Sequence, residues 1–353
     1  MKIGTIDISK IYLGSAEIEK IYLGTSQVYD GGDTPTPPAP VPYSGQYLTT
    51  ESLEDGNTIS FTMGTGMTTA ITTAVTSVSV STDDGVTWTS MENIGAGASL
   101  SVTLDTGEKA IWKGEAIGYS IATGATKSTS FSSTGLYKVY GNILSLLYDD
   151  DFINQNNPTL SDFNCFTNLF YGSRDLMDAS NLFMKFTLFT TTKRPIGYLF
   201  RGCINLITAP ELGNIDFVGA PYAFRDMFHD CESLTTAPAL TATTLSQGCY
   251  SAMFQGCTSL TTAPELPATT LAEYCYRLMF SGCTSLNYIK CLATDISASN
   301  CTINWVNGVA STGTFVKAAL MSSDWECGAN GIPEGWSVED ENGNPEATPC
   351  RVD

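Results

Sequence analysis

Three kinds of hydrophobic patterning follow one another along the chain. Residues 1–30 carry a ten-residue tandem repeat, in which Ile8-Ser9-Lys10-Ile11-Tyr12-Leu13-Gly14 returns as Ile18-Glu19-Lys20-Ile21-Tyr22-Leu23-Gly24 and starts again at Val28-Tyr29. Each copy is a run of branched and aromatic residues that stops at glycine, which predicts a short β-strand. From about 43 to 140, polar and apolar positions alternate in short runs broken by glycine, the pattern of a β-sandwich. Strands are expected around Ile59–Met63, Val78–Ser81, Leu100–Leu104 and Ala110–Trp112, with Asp83-Asp84-Gly85 as a hairpin turn. Ile143 to Tyr148, followed by Asp149-Asp150-Asp151-Phe152, then predicts an amphipathic helix that opens a new region.

That region is repetitive. Phe200, Cys203 and Leu206 align with Phe228, Cys231 and Leu234, with Phe254, Cys257 and Leu260, and with Phe280, Cys283 and Leu286. A degenerate copy precedes them at Leu169-Phe170-Tyr171-Gly172. Self-similarity at a period of 26 to 28 residues marks units that each cover the open face of a neighbour, the pattern of a solenoid. Within one unit Leu271, Cys275, Leu278 and Met279 fall on one face at helical spacing, so a helix is expected, with Gly282 as its left-handed cap. Ala237-Pro238 and Ala263-Pro264 interrupt the extended segment that follows and keep its strand short. After Leu286 the period is expected to fail, with Ile303-Asn304-Trp305-Val306 as a closing strand and the tail around Trp325 and Trp336 as a cap.

The cysteines change how the repeat is read. There are 11, an odd number, and those at Cys203, Cys231, Cys257 and Cys283 share one repeat phase. Cysteines in phase are expected to be stacked, reduced, buried thiols. No C-x-x-C pair suggests a zinc site, and no metal or cofactor is expected.

Charge narrows the partners. With 17 basic and 36 acidic residues the net charge is −19, which repels nucleic acid and anionic membrane surfaces. No apolar run is long enough to insert in a membrane. The start, Met1-Lys2-Ile3-Gly4-Thr5-Ile6-Asp7, lacks the apolar core of a secretory signal. The expectation is a chain that remains where it is made unless it leaves by lysis or within a particle.

Thirty residues bury little by themselves, so the first module is expected to anchor the chain or associate with other copies through Ile11, Tyr12, Leu13, Ile21, Tyr22 and Leu23. Five prolines within 35–42 make residues 31–42 a semi-rigid polyproline spacer. Ser81-Thr82-Asp83-Asp84-Gly85-Val86-Thr87-Trp88 matches the Asp box seen in sialidases, where the Asp caps a turn and the Trp packs beneath it. A single copy is expected to be a stable hairpin and carries no glycosidase activity over.

The [M/A]-F-x-x-C-x-x-L phrase, across roughly residues 165–290, resembles the BspA-like leucine-rich repeats of bacterial surface proteins and gut-phage proteins. It departs from them in the strand, where Thr-Thr-Ala-Pro-Glu-Leu replaces the usual branched segment. The resemblance implies a ligand-binding or adhesive surface without catalytic residues. The whole layout is similar to fibre or receptor-binding proteins of tailed phages that infect gut Bacteroidetes, including the crAss-like group. The expected architecture is therefore multidomain and β-rich: an anchor at 1–30, a linker at 31–42, a β-sandwich at 43–140, and an α/β leucine-rich-repeat solenoid at 141–353 with a C-terminal cap from about 287.

Catalysis would need a nucleophile with a base, a carboxylate pair or a metal cluster. The one histidine, His229, sits at a variable repeat position aligned with Arg201, Gln255 and Ser281 and is expected at the surface. The chain is thus expected not to be an enzyme. A solenoid presents repeated side chains as ladders, here Thr235 with Thr261, Glu211 with Glu265, and Ser233 with Ser259 and Ser285, the candidate ligand surface. The expected function is a virion head or tail fibre, a homo-oligomer (dimer or trimer). It would be made in the host cytoplasm, anchored to other virion proteins through residues 1–30, and exposed on the virion exterior to a host-surface glycan or protein. A bacterial surface or secreted adhesin and a carbohydrate-active enzyme are the alternatives.

Overall fold

A computed structural model describes the strand backbones within residues 1–30 and the chain from 45 onward, apart from 66–74, 92–93, 117–118, 120–127, 156–157, 161–164, 185, 187–195, 214–219, 322–324, 347–348 and 352–353. The expected polyproline spacer lies outside the described residues. The chain is β-rich and divides into two compact units, Met1–Pro42 and Tyr43–Asp353.

In the first unit the ten-residue repeat builds hairpins rather than one strand per copy. Antiparallel pairs form between β1 (Lys2–Ile3) and β2 (Ile6–Asp7), β3 (Ile11–Leu13) and β4 (Ala16–Ile18), and β5 (Lys20–Leu23) and β6 (Ser26–Asp30). The innermost partners are Ile3 with Ile6, Leu13 with Ala16, and Leu23 with Ser26. Ile11, Tyr12 and Leu13 thus lie in β3, and Ile21, Tyr22 and Leu23 in β5.

The second unit opens with two sheets. Strands β7 (Leu48–Ser52), β9 (Val75–Ser81), β10 (Thr89–Ser90), β12 (Lys109–Ala116), β14 (Tyr137–Asn142) and β15 (Leu176–Asp178) form one, in the order β10-β9-β12-β7-β14-β15, with β16 (Leu182–Phe183) also on β14. Strands β8 (Asn57–Thr62), β11 (Ser99–Leu104) and β13 (Ser130–Ser133) form the other, in the order β11-β8-β13. Buried aromatic rings join the two: Trp112 lies edge-on to Phe131 with centroids 5.1 Å apart, and Phe131 lies edge-on to Phe61 at 5.0 Å. Position 140 falls inside β14, which is antiparallel to β7 but parallel to β15 and β16. The sheet and its core therefore continue into the repeats. The amphipathic helix expected after 143 shrinks to one turn, α1 (Ser145–Tyr148), followed by a 3-10 segment at Asp149–Asn154.

Among the described residues the repeats contain no α-helix, which corrects the expected α/β character. Where a helix was expected the backbone runs in turns, and every fourth residue takes a positive φ. Tyr222, Asp226 and Asp230 do so in one unit, Gly248, Ala252 and Gly256 in the next, Tyr274, Leu278 and Gly282 in the third, and Asn300, Asn304 and Gly308 in the fourth. Between them the amides alternate. Phe224, Asp226 and Phe228 donate N–H bonds of 2.9 to 3.0 Å to Cys249, Ser251 and Met253 of the following unit, whereas Arg225, Met227 and His229 donate locally, three residues back. Sending every second amide to the next unit removes the i to i−4 bonds that define a helix. Left-handed positions strain most side chains. Glycine relieves this at Gly256, where a Cβ would also meet Asp230 Oδ1 at 2.5 Å.

The period also runs past Leu286, against expectation. Phe280 donates to Trp305 O, Gly282 to Asn307 O, and Val306 to Ala329 O. Ile303 to Val306 is part of a turn unit, not a strand. Opposite the turns runs a thin parallel ladder, bridged at Asp178–Thr208, Thr208–Thr236 and Thr262–Tyr288. It broadens at the end into parallel β17 (Tyr288–Cys291), β18 (Thr314–Lys317) and β19 (Ser337–Asp340).

Between turns and ladder lies the core. Phe170, Phe200, Phe228, Phe254 and Phe280 stack nearly parallel with centroids 5.3 to 5.8 Å apart. The in-phase residues Phe200, Cys203, Leu206, Phe228, Cys231, Leu234, Phe254, Cys257, Leu260, Phe280, Cys283 and Leu286 are all fully buried. Cysteine has a specific place here. The carbonyl of Phe228 accepts the Cys231 N–H at 3.1 Å and the Cys257 thiol of the next unit at 3.1 Å. The same double acceptance recurs at Phe200 and Phe254. All nine cysteines from Cys165 to Cys301 are free and buried, while Cys327 and Cys350 form a disulfide in the tail.

Burial pushes the Cys283 thiol up to about 12, and Cys203 and Cys257 also rise because burial disfavours the thiolate. The nine free thiols should therefore ignore a disulfide reagent at pH 8 in the native chain and all react once it is unfolded without reductant. Fast titration of any in-phase thiol in the native state would contradict this packing. Cys257→Ala should cost about 2 kcal/mol in chemical denaturation, from a small cavity and a lost bond to the Phe228 carbonyl.

Candidate functional site

The candidate ligand residues lie along the ladder side of the stack. Thr235, Ser259, Thr261, Glu211 and Glu265 are exposed, and Ser233 and Ser285 are half-buried. Backbone bonds set their spacing: Ser233 donates to Ile204 O, Ser259 to Glu232 O, and Asn287 to Thr261 O. Successive units along such a ladder stand about 4.8 Å apart. Glu211 and Glu265 are therefore not neighbours, because Ala239 holds the intervening position. Glu265 instead accepts a salt bridge from Lys290 at 3.0 Å. The hydroxyls form a line rather than a cluster and converge on no cleft.

His229 departs from expectation. It is half-buried, with Nδ1 2.8 Å from Asp226 Oδ1 and Nε2 3.4 Å from Asp230 Oδ2. Asp226 sits at a left-handed position with its side chain 6% exposed, and also accepts from Arg225 Nε at 2.9 Å and Arg201 at 3.3 Å. Burial alone would raise its pKa, but the bonds from His229 and Arg225, with the charges of His229 and Arg201, hold the carboxyl below its usual range. Its acceptor capacity is taken up by three partners, so the cluster ties two adjacent units together.

The Asp box is a self-contained hairpin. Asp83 accepts from Ser81 Oγ at 2.6 Å, Thr87 Oγ1 at 2.6 Å and Thr87 N at 2.8 Å, which lowers its pKa to about 2. The Trp88 indole donates to Gly85 O, and Lys113 lies 4.5 Å from its ring while bridging to Asp149 and Asp150. Asp149 and Asp150 are thus ion-pair partners. Among the described residues no group of three His, Cys, Asp or Glu is placed to hold a metal.

One polar cavity was not singled out in the sequence. It is a cavity of about 260 Å3 on the outer face of the large sheet, lined by Gln46, Glu51, Lys109, Lys138, Tyr140, Asp178 and Asn181. The strands place these groups by register. Glu51 of β7 stands between Lys109 of β12 and Lys138 of β14, and Lys138 stands beside Asp178 of β15. Glu51 takes Lys138 at 2.9 Å, Lys109 at 3.9 Å and the Tyr140 hydroxyl at 3.0 Å. Charges alternate across the strands and largely neutralise one another around a small polar hollow, with Lys109 also 5.9 Å from the Tyr140 ring. Alternation within Tyr137–Asn142 marks Lys138 and Tyr140 as outward facing; the order of strands that brings Glu51 and Asp178 beside them is invisible in sequence.

Asp226 makes a direct prediction for stability against pH. Its carboxyl is depressed in the folded chain, so its contribution is present above the ordinary carboxylate pKa and is lost as pH falls below it. Asp226→Asn should lose about 2 kcal/mol at pH 7, and the gap from the parent should narrow as pH falls below the ordinary carboxylate range and through the depressed pKa in denaturant titrations. An unchanged gap at low pH would mean that charge is irrelevant to this cluster. Comparison of the chain with protein-family models, with curated proteins and with solved structures finds no match, so function is argued from these surfaces.

Proposed function

We propose that this chain is a non-catalytic display fibre, anchored in a virion by residues 1–30 and presenting a repeat solenoid for adhesion to a host surface. One observation carries the reading: stacked units at 26-residue spacing repeat exposed or half-buried hydroxyl-bearing positions on one side, at Thr235 and Thr261 and at Ser233, Ser259 and Ser285. Regular repetition suits many weak contacts made at once, where linked binding events multiply affinity without any single tight site. The M-F-x-x-C-x-x-L resemblance to BspA-like repeats points the same way, with turns standing where those repeats are expected to carry a helix. A separate compact N-terminal unit made of three identical-style hairpins suits anchoring or assembly with other copies.

A bacterial surface adhesin would share the binding side and differ in the anchor. Deleting residues 1–30 separates the two. The truncated chain should keep the parent's thermal transition, yet be missing from purified particles, as read by immunoblot. Incorporation at the parent level would end the anchor assignment.

A further inference from the structure

The polar cavity stands at one end of a row of outward-facing polar side chains that follows the parallel ladder. Across the large sheet the row runs Lys109, Glu51, Lys138, Asp178, each directly beside the last in the strand registers. Asp178 then bridges in parallel to Thr208, and Thr208 to Thr236. Thr262, one 26-residue period after Thr236, bridges to Tyr288, which pairs with Thr314, and Thr314 with Ser337. None of these residues is buried, while their strand neighbours Val139, Ile289, Phe315 and Val338 face the core. The row is therefore the outward-facing stripe of the large sheet, the bridged ladder and the terminal three-stranded sheet in turn.

Its chemistry is consistent from end to end. Every position offers a hydroxyl, an amine or a carboxylate, and the cavity at its head adds the Tyr140 ring and the Gln46 and Asn181 amides. Rings flanked by planar hydrogen-bonding groups suit a pyranose, which has apolar faces and a hydroxylated rim. Rungs about 4.8 Å apart match the length of one sugar unit in an extended chain. Charge selects the class of sugar. The lysines are engaged with Glu51, and the chain carries −19 overall, so a polyanionic glycan is repelled.

We propose that this row binds a neutral, extended polysaccharide running across the strands, its end seated in the cavity and successive units on the Thr208, Thr236 and Thr262 rungs. The proposal rests on the adhesive reading above and names its ligand class. Binding is hydrogen-bonded and repetitive, so affinity grows with ligand length.

The test uses the full chain in affinity electrophoresis against mannan, β-glucan, xylan and galactan. Calorimetry then follows, with size-graded oligosaccharides of whichever polymer retards it. At least one neutral polymer should retard the chain, and its hexasaccharide should bind about tenfold more tightly than its disaccharide. Thr236→Arg with Thr262→Arg, both at exposed positions, should abolish that length gain and leave disaccharide affinity unchanged. Tyr140→Ala should weaken both ligands about tenfold, whereas Tyr140→Phe, which keeps the ring, should bind the disaccharide within about twofold of the parent. Retardation by no neutral polymer, retardation only by alginate or heparin, or affinity independent of length would each overturn the proposal. Failure here is separable from failure of the adhesive reading. If no neutral polymer binds but particles carrying the chain still need it for adsorption, the glycan row falls and adhesion stands. If the polymer binds but the double variant leaves adsorption unchanged, the row stands and the adhesive role falls.

Discussion

The backbone amides of the repeats face a choice between local and inter-unit partners, and the rest of the molecule follows from how it is settled. Every second N–H in the turn region reaches the carbonyl of the next unit, and the others close a local turn. That division holds successive units in register, one residue against a partner 29 positions later in the first unit, 27 in the second and 25 in the next three. Identical side chains are then forced into columns. A flat ring suits such a column, and phenylalanine rings stack face to face through five successive units. The thiol at Cys257 suits it as well, being small enough to bury and able to satisfy the second lone pair of the Phe228 carbonyl.

The two large parts of the second unit are joined by the same logic. Strand β14 ends an antiparallel sheet and begins a parallel one, because its free edge takes β15 and β16 instead of another hairpin partner. The Phe131 ring of the smaller sheet stacks on Phe170, the first ring of the column, at 5.3 Å. The first unit of the stack thus has its core face covered by the β-sheets. At the other end Trp305, Trp325 and Trp336 close the column with indoles, and the Cys327–Cys350 disulfide ties the tail. Repeat stacks expose core at both ends unless capped, and here the caps are built from different materials.

The functional consequence is a division of labour between the sides of the stack. The turn side spends its polar groups on itself, as the Asp226 cluster does between adjacent units. The ladder side turns a line of polar side chains outward, some of them paired between strands as Glu265 is with Lys290. The cavity at the head of that ladder arises where strands from distant sequence, Glu51, Lys109, Lys138 and Asp178, come side by side.

Much of this was legible in the sequence, because repetition is self-evident in one chain. The in-phase phenylalanines, cysteines and leucines identify the core, and alternation identifies β8, β9, β11 and β12, since solvent on one face and core on the other impose those patterns locally. The turn region was misread because buried pairs at a four-residue spacing, such as Cys275-Tyr276 and Met279-Phe280, imitate the 3.6-residue period of a helix. Only neighbours in space decide whether those amides bond within the unit or between units. The unit at Asn300–Gly308 was missed because Trp305 replaces the Phe-Cys phrase there, and only its bonds to the preceding unit reveal it. Sequence by itself determined the repeat, its core and the common phase of the buried cysteines. The helix-free turns, the shared core and the polar row were decided by the tertiary structure, because each depends on which residues far apart in the chain become adjacent.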